Sequence, residues 1–334
     1  MTIGIKVQPS LMSETAAIVS KKPNIAQLDM PLGLFVPRFD AFISEKCKAD
    51  GTDPNDIDMS DYTSAGLLGV FRWMQKYKYF GRFGHTVNVI KHILEFPSTE
   101  LSILWIPKNS CTSIKNLLLQ FEPESAKTGI KKNRFHETVQ QSFGTTVQRL
   151  ARDEMFPMMA LVRHPYERLV SCYIDKFAMP VLRDRNFESF AHHHIRRAHM
   201  FLGIEDRDVG RSISFREFVA YIELLDPWQF DSHWRPQADF LCGISARGTE
   251  FIKSNNFGLA AERVGVKEAG PRHNISTGKS FDPTLPLTGI FTDLLPEQID
   301  ISKMKFYNDV LSEDLVDSLV AIYAEDVALF EAAL

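Results

Sequence analysis

Two stretches of the chain share one pattern: a short apolar run, a break, then apolar residues at helical spacing. In residues 101–121, LSILWIPKNSCTSIKNLLLQF, an almost unbroken apolar run is made by Leu101, Ile103, Leu104, Trp105 and Ile106. That is the pattern of a strand covered on both faces in a parallel sheet, and Pro107 ends it. Ile114, Leu117, Leu118 and Phe121 then recur at helical spacing with Lys115, Asn116 and Gln120 between them, which predicts a helix with one apolar and one wet face. Residues 155–177, MFPMMALVRHPYERLVSCYIDKF, repeat the scheme: an apolar run over 158–162, then Tyr166, Leu169, Val170, Tyr173 and Phe177 after Pro165. Residues 122–153 between them have the length that a parallel crossover demands, so both strands are assigned to one sheet.

Elsewhere the pattern is weaker. Residues 312–334 are amphipathic through Leu315, Leu319, Ile322, Val327 and Phe330, and are expected to close the core. Over residues 62–94 the spacing of Leu67, Leu68, Phe71, Met74 and Tyr77, then Val87, Val89, Ile90 and Ile93, predicts helices. Residues 1–60, with Pro9, Pro23, Pro31, Pro37 and Pro54 and a polar run KCKADGTDPNDIDMSD, read as loops with short elements.

Candidate chemistry lies in the breaks. Lys108, Asn109, Ser110, Cys111, Thr112 and Ser113 place a lysine and three hydroxyls at a helix N-terminus, where free amides and the helix dipole favour an anion. An ordinary N-cap by Thr112 or Ser113 with a solvated Lys108 fits the same residues. No G-x-x-x-x-G-K-[ST] loop occurs anywhere, so this is not a Walker A site. In the second stretch Arg163 falls at the carboxyl end of the strand and Ser171 early in the helix, where open α/β sheets bind ligands, and an arginine there suits a phosphate monoester.

At these residues the chain resembles the sulfotransferases that use 3′-phosphoadenosine 5′-phosphosulfate (PAPS), and most closely the Golgi carbohydrate sulfotransferases. PKNSCTSIKNLL resembles that family's 5′-phosphosulfate loop and LVRHPYERLVSCYIDKF its 3′-phosphate segment. HWRPQADFLC, residues 233–242, and IYAEDVALF, residues 322–330, resemble its next block and its closing helix. Four segments in the right order cover the chain from about residue 101 to its end, a more specific signal than any one motif.

The resemblance implies a P-loop-like fold of the α/β class, three layers with a central parallel sheet, over residues 96–334. Residues 1–95 are then a mostly helical or irregular extension packed on it. The resemblance also implies PAPS as donor, adenosine 3′,5′-bisphosphate as product, no metal, and a carbohydrate or small-molecule acceptor. Lys108 and the groups of Asn109, Ser110, Cys111, Thr112 and Ser113 would hold the 5′-phosphosulfate, and Arg163 with Ser171 the 3′-phosphate. In-line sulfuryl transfer needs fixed positive charge on the leaving phosphate, the role given to Lys108. It also needs a base for the acceptor, the role given by the resemblance to His233 of the HWRPQ block, a residue that without it reads as a core histidine beside Trp234. Glu167 and Asp175 are read as structural charges and His164 as part of the turn before Pro165. The loop KEAGPRHNISTGKSFDP, residues 267–283, reads as an ordinary surface connection; the resemblance suggests that it folds over the nucleotide, with Arg272, Asn274 or Ser276 as a further contact outside the site proper.

Composition narrows the class. A length of 334 residues and 44% hydrophobic content suffice for a large core, and a net charge of −4 gives no reason to expect nucleic acid or an anionic membrane as partner. The N-terminal residues lack a signal peptide and no run approaches the ~18 apolar residues of a membrane span, so a cytoplasmic location is expected, unlike that of the anchored Golgi enzymes. The four cysteines, Cys47, Cys111, Cys172 and Cys242, have neither metal-ligand nor compact disulfide spacing, which fits a reducing compartment. RWMQKYKYFGRFGH, residues 72–85, fits a basic helix face or an acidic acceptor's site. The consecutive His192, His193 and His194, with His199, point different ways on a helix and read as solvated or acceptor-facing rather than as metal ligands. Two rival functions stand beside the sulfotransferase: a small-molecule kinase of related fold, disfavoured by the absent Walker A loop, and a non-catalytic nucleotide-binding module.

Overall fold

A computed structural model of the protein describes residues 92–96, 99–121, 157–179, 190–204, 211–226, 229–241, 249–266 and 279–334. The described residues form a mixed α/β architecture around a four-stranded sheet. Its strands are β1 (Ile93–Phe96), β2 (Leu101–Leu104), β3 (Met158–Val162) and β4 (Glu250–Lys253), lying side by side in that order. β2 and β3 are parallel, with Ser102 opposite Met158, as the crossover length predicts, and β4 runs parallel to β3. β1 departs from an all-parallel sheet: it pairs antiparallel with β2, Ile93 opposite Leu104. Ile93, which the spacing puts in a helix, therefore opens a core strand, and the expected division at residues 95 and 96 falls inside β1.

The helices are α1 (Cys111–Leu119), α2 (Pro165–Tyr173) with a π-helical continuation Ile174–Ala178, α3 (Phe190–Leu202), α4 (Phe215–Leu224), α5 (Phe257–Arg263) and α6 (Glu313–Ala332). Ser214 and Glu217 close a reciprocal capping box at the start of α4. All five residues of β3 are buried, as a strand covered on both faces must be. Alternate strand positions Leu94, Phe96, Ile103, Met159, Leu161 and Ile252 pack with Ile114 and Leu117 of α1 and Phe257 and Ala261 of α5. A second, larger core joins α2, α3, α4 and α6 around Trp234, Phe218, Phe177 and Tyr173.

Two local readings change. Phe121 lies beyond the end of α1, 37% exposed, its ring edge-on to Phe96. Lys115, expected on the wet face, is fully buried, its ammonium 3.8 Å from the centre of the Trp105 ring, where a cation gains from the π face. Among the described residues no helix is long and apolar enough to cross a membrane, an observation that does not bear on the compartment.

Candidate active site

The site begins where β2 runs out. Lys108 and Ser110 both take positive φ, 71° and 60°, a left-handed conformation that costs a side-chain-bearing residue about 1–3 kcal/mol and persists only where surroundings impose it. The imposing group is Asn109 between them. Fully buried, it donates its backbone N–H to Ile106 O (3.1 Å) and its side-chain amide to Leu161 O (2.8 Å) and Gln237 Oε1 (2.5 Å). The side chain proposed to meet a phosphosulfate is thus engaged in holding the loop to β3. Ile114 N bonds to Ser110 O at 3.0 Å, starting α1, so the first amides of α1, from Cys111, Thr112 and Ser113, point out of its N-terminal end at this loop. Ser113 is buried, whereas Ser110, Cys111 and Thr112 are half-buried.

α2 faces the loop through residues spaced four apart: Arg163 just before it, then Glu167, Ser171 and Asp175. Arg163 donates to Lys108 O (3.2 Å) and to Glu167 Oε1 (2.7 Å). At the other end Asp175 Oδ2 meets Lys108 Nζ at 2.7 Å and Lys176 Nζ at 3.3 Å. Burial works to raise the Asp175 carboxyl, but the two ammonium groups outweigh it and hold the group below its ordinary value. Ser171 is buried, and the four-residue spacing puts it on the same side of α2 as Glu167 and Asp175, whose partners are Arg163 and Lys108. Glu167 and Asp175 are ion-paired, as expected of structural charges.

His233 reaches the same place from another segment. Its Nδ1 lies 2.5 Å from Asp231 Oδ1, which also accepts the His233 backbone N–H at 2.9 Å. Burial tends to raise Asp231, but the hydrogen bonds and charge of His233 override it and hold the carboxyl far below its usual range. The His233 imidazole is lowered from 6.5, chiefly by burial and further by Lys176 and Lys108, against the pull of Asp231. A neutral ring whose Nδ1–H faces an ionised carboxylate leaves Nε2 as its acceptor. The ring keeps 26% exposure while the neighbouring Trp234 has none. Trp234, not His233, occupies the core position.

Arg168 links the two halves. Its buried guanidinium donates to Pro107 O (2.9 Å), Ser232 O (2.9 Å) and Arg235 O (2.7 Å), the carbonyls immediately before Lys108 and before His233 among them. Neither Arg168 nor Asp231 was legible as a site residue. The one signal for Arg168 was an arginine beside the apolar stripe of α2, and for Asp231 a carboxylate two residues before the candidate base.

Cys172 is buried, its thiol pushed up to about 12, and both it and Cys111 are free. On α3 the expectation of a solvated histidine face holds for His193 and fails for His194 and His199, which are buried; the His194 ring meets Trp234 edge-on at 5.2 Å. Among the described residues no three His, Cys, Asp or Glu are placed to hold a metal ion. His164 packs against Phe281, Tyr166 and Phe330. The cluster at residues 72–85, Cys47, Cys242, Arg272, Asn274 and Ser276 lie outside the described residues.

Burial lowers both His164 and His194 from 6.5 to about 4. The unfolded chain takes up these protons near pH 6.5 and the folded one only near pH 4, so stability is full above pH 6.5 and falls as pH drops towards 4. The melting temperature should fall by several degrees between pH 7 and pH 5, a kcal/mol being about 2–4 °C at this size, and His194→Gln should flatten part of that fall. A melting temperature level across this range would show that neither ring is held neutral by the fold.

The profile of the sulfotransferase family matches residues 91–331, which span β1 to α6. The chain is 30% identical over 165 residues to carbohydrate sulfotransferase 11 of Rattus norvegicus and of Mus musculus, covering 45% of each chain. It is 26% identical over 189 residues to carbohydrate sulfotransferase 14 of Danio rerio, 54% of this chain and 50% of that one. The matched region thus spans about half the length of these relatives. No solved structure matches the chain.

Proposed function

The chain belongs to the sulfotransferase family, and on that premise we propose that it moves the sulfuryl group of PAPS to a hydroxyl, or an amine, of a carbohydrate or small-molecule acceptor. A carbohydrate acceptor is favoured by the names of the relatives. The observation that carries the proposal is the Arg168 guanidinium, which bonds to the carbonyls immediately before Lys108 and before His233 and so ties the segment of the proposed cation to the segment of the proposed base. The fold reading that goes with it is a P-loop-like three-layer domain, with β1 as an antiparallel addition to its sheet and the residues before β1 as an extension.

The residues suit a donor with two anionic ends. Lys108 and the N-terminal turn of α1 offer charge and amides to the 5′-phosphosulfate, and Arg163 with Ser171 offers a second anion site one side of α2 away. Asp175 now holds Lys108, and a bound phosphosulfate would compete for the same ammonium. In the transfer, Nε2 of His233 takes the acceptor proton as the acceptor oxygen or nitrogen bonds to sulfur and the sulfur–oxygen bond to the phosphate breaks. Lys108 neutralises the charge growing on the leaving phosphate, and Asp231 stabilises the imidazolium. The proton ends on His233 and the products are the sulfated acceptor and adenosine 3′,5′-bisphosphate.

The cofactor is tested by thermal unfolding. Adenosine 3′,5′-bisphosphate should raise the melting temperature well above what 5′-AMP or ATP achieves, since a ligand at a hundredfold excess over its Kd stabilises by about 2.7 kcal/mol. Arg163→Ala should erase most of the preference for the bisphosphate and leave 5′-AMP binding little changed. Equal stabilisation by 5′-AMP and the bisphosphate, or a strict magnesium-dependent preference for ATP, would replace this reading with the kinase one.

A further inference from the structure

Gln237, fully buried, has every hydrogen-bonding position of its side chain engaged. Its Oε1 accepts from Asn109 Nδ2 (2.5 Å) and from the Arg163 backbone N–H (2.9 Å), and its Nε2 donates to Arg163 O (2.8 Å) and to Asp326 Oδ2 (3.3 Å). Because the Arg163 N–H must meet an oxygen and the Arg163 carbonyl must meet a nitrogen, the orientation of the amide is fixed. Gln237 treats Arg163 as a neighbouring strand would, taking both its backbone groups just where β3 ends.

Three segments meet in this one side chain. Asn109 holds the left-handed loop that presents Lys108, Arg163 joins β3 to α2, and Gln237 itself lies four residues after His233. A fourth segment clamps the base of the arrangement. Asp326 of α6, fully buried, accepts the backbone N–H groups of Gln237 and Ala238, both at 2.8 Å, and so fixes where the Gln237 side chain starts. Tyr323, one turn earlier on α6, donates to Trp234 O and fixes the same segment next to His233.

We infer that Gln237 is a positioning residue that sets the two anion sites and the base in register, transmitting the position of one donor-holding segment to the other and to α6. It touches no substrate itself. The inference rests on the PAPS reading above. Its distinguishing consequence is selectivity, because Arg163, the residue proposed to choose the 3′-phosphate, is held by Gln237 on both sides of its backbone. A side chain that merely fills space or adds stability would change the melting point and leave the choice between nucleotides alone.

The test uses the full chain with two near-isosteric variants. Gln237→Met removes all four bonds, and Gln237→Glu keeps the acceptor for Asn109 and Arg163 N while losing both donors, to Arg163 O and to Asp326 Oδ2. Titration calorimetry with adenosine 3′,5′-bisphosphate and with 5′-AMP should show the preference for the bisphosphate reduced about tenfold or more in Gln237→Met, the scale of losing one or two buried hydrogen bonds, and less in Gln237→Glu. Variants with a lowered melting point and an intact preference overturn the positioning role. A wild-type protein with no preference overturns the PAPS reading instead, so the two failures are told apart. Should neither variant fold, hydrogen exchange on the wild-type protein decides: the bisphosphate should slow exchange at the Gln237 and Ala238 amides and in residues 322–330. Protection confined to residues 108–113 and 163–171 would sink the inference.

Discussion

Lys108→Ala is expected to lower turnover roughly 100-fold or more, the cost of removing a transition-state charge stabiliser, while the protein stays folded. The structure makes this substitution a clean one. The contact that Arg163 makes with residue 108 is to its backbone carbonyl, which alanine keeps, and alanine adopts the positive φ no less readily than lysine. The ion pair that is lost, to Asp175, is partly exposed, with 41% of the carboxylate side chain open, and pairs of that kind contribute about 1 kcal/mol or less. Asp175 retains Lys176. Sulfate transfer from labelled PAPS to a panel of carbohydrate hydroxyls and amines measures the rate, and the melting temperature with the bisphosphate measures the rest. A variant that turns over near the wild-type rate removes Lys108 from the mechanism.

The sequence showed the scaffold of this site because strand and helix are local events. The run 158–162 and the stripe at Leu169, Val170, Tyr173 and Phe177 each carry their own period, and β3 and α2 appear where those periods say. Prediction failed where a partner distant in sequence decides the outcome. Ile93 reads as helical until β2 offers an antiparallel edge, and Lys115 reads as solvated until Trp105 offers its ring. His194 reads as surface until α3 packs against Trp234.

The same limit explains which site residues were visible. Lys108, Arg163, Ser171 and His233 stand in segments whose family likeness is written in residue types, whereas what holds them in place is written in hydrogen bonds across the chain. Asn109 to Gln237, Arg168 to Pro107 and Ser232, and Gln237 to Asp326 join residues far apart in sequence and draw partners from all four resembling segments. No local period marks such pairs. A buried Asp326 on α6 even contradicts its helix's apolar pattern, since an uncompensated carboxylate would be costly there; burial pushes its pKa up even though two backbone amides receive it. A carboxylate at an apolar position is the signal that could have pointed to this junction.

His233→Ala should cost about 10²–10⁴ in rate with nucleotide affinity almost unchanged, because the ring is proposed to meet the acceptor and not the donor. The fold should survive it: the ring is partly exposed and, among the described residues, its hydrogen bond runs to Asp231, while Trp234 supplies the packing. The pH profile distinguishes a base from a structural ring. A base works deprotonated, so the rate should rise with pH through the pKa of His233 and then level, and since burial, Lys176 and Lys108 together lower that pKa, the plateau should be reached at a lower pH than an unburied imidazole would set. Asp231→Asn should lower the plateau by roughly one to two orders of magnitude, because Nδ1 no longer faces a carboxylate that fixes the tautomer and stabilises the imidazolium. It should also move the fall in rate to still lower pH, since the one group that raises the His233 pKa by hydrogen bond and charge is gone. If His233→Ala instead abolishes donor binding or folding, or if the acid limb stays in place in Asp231→Asn, the ring is a structural histidine and the base must be sought elsewhere in the cleft.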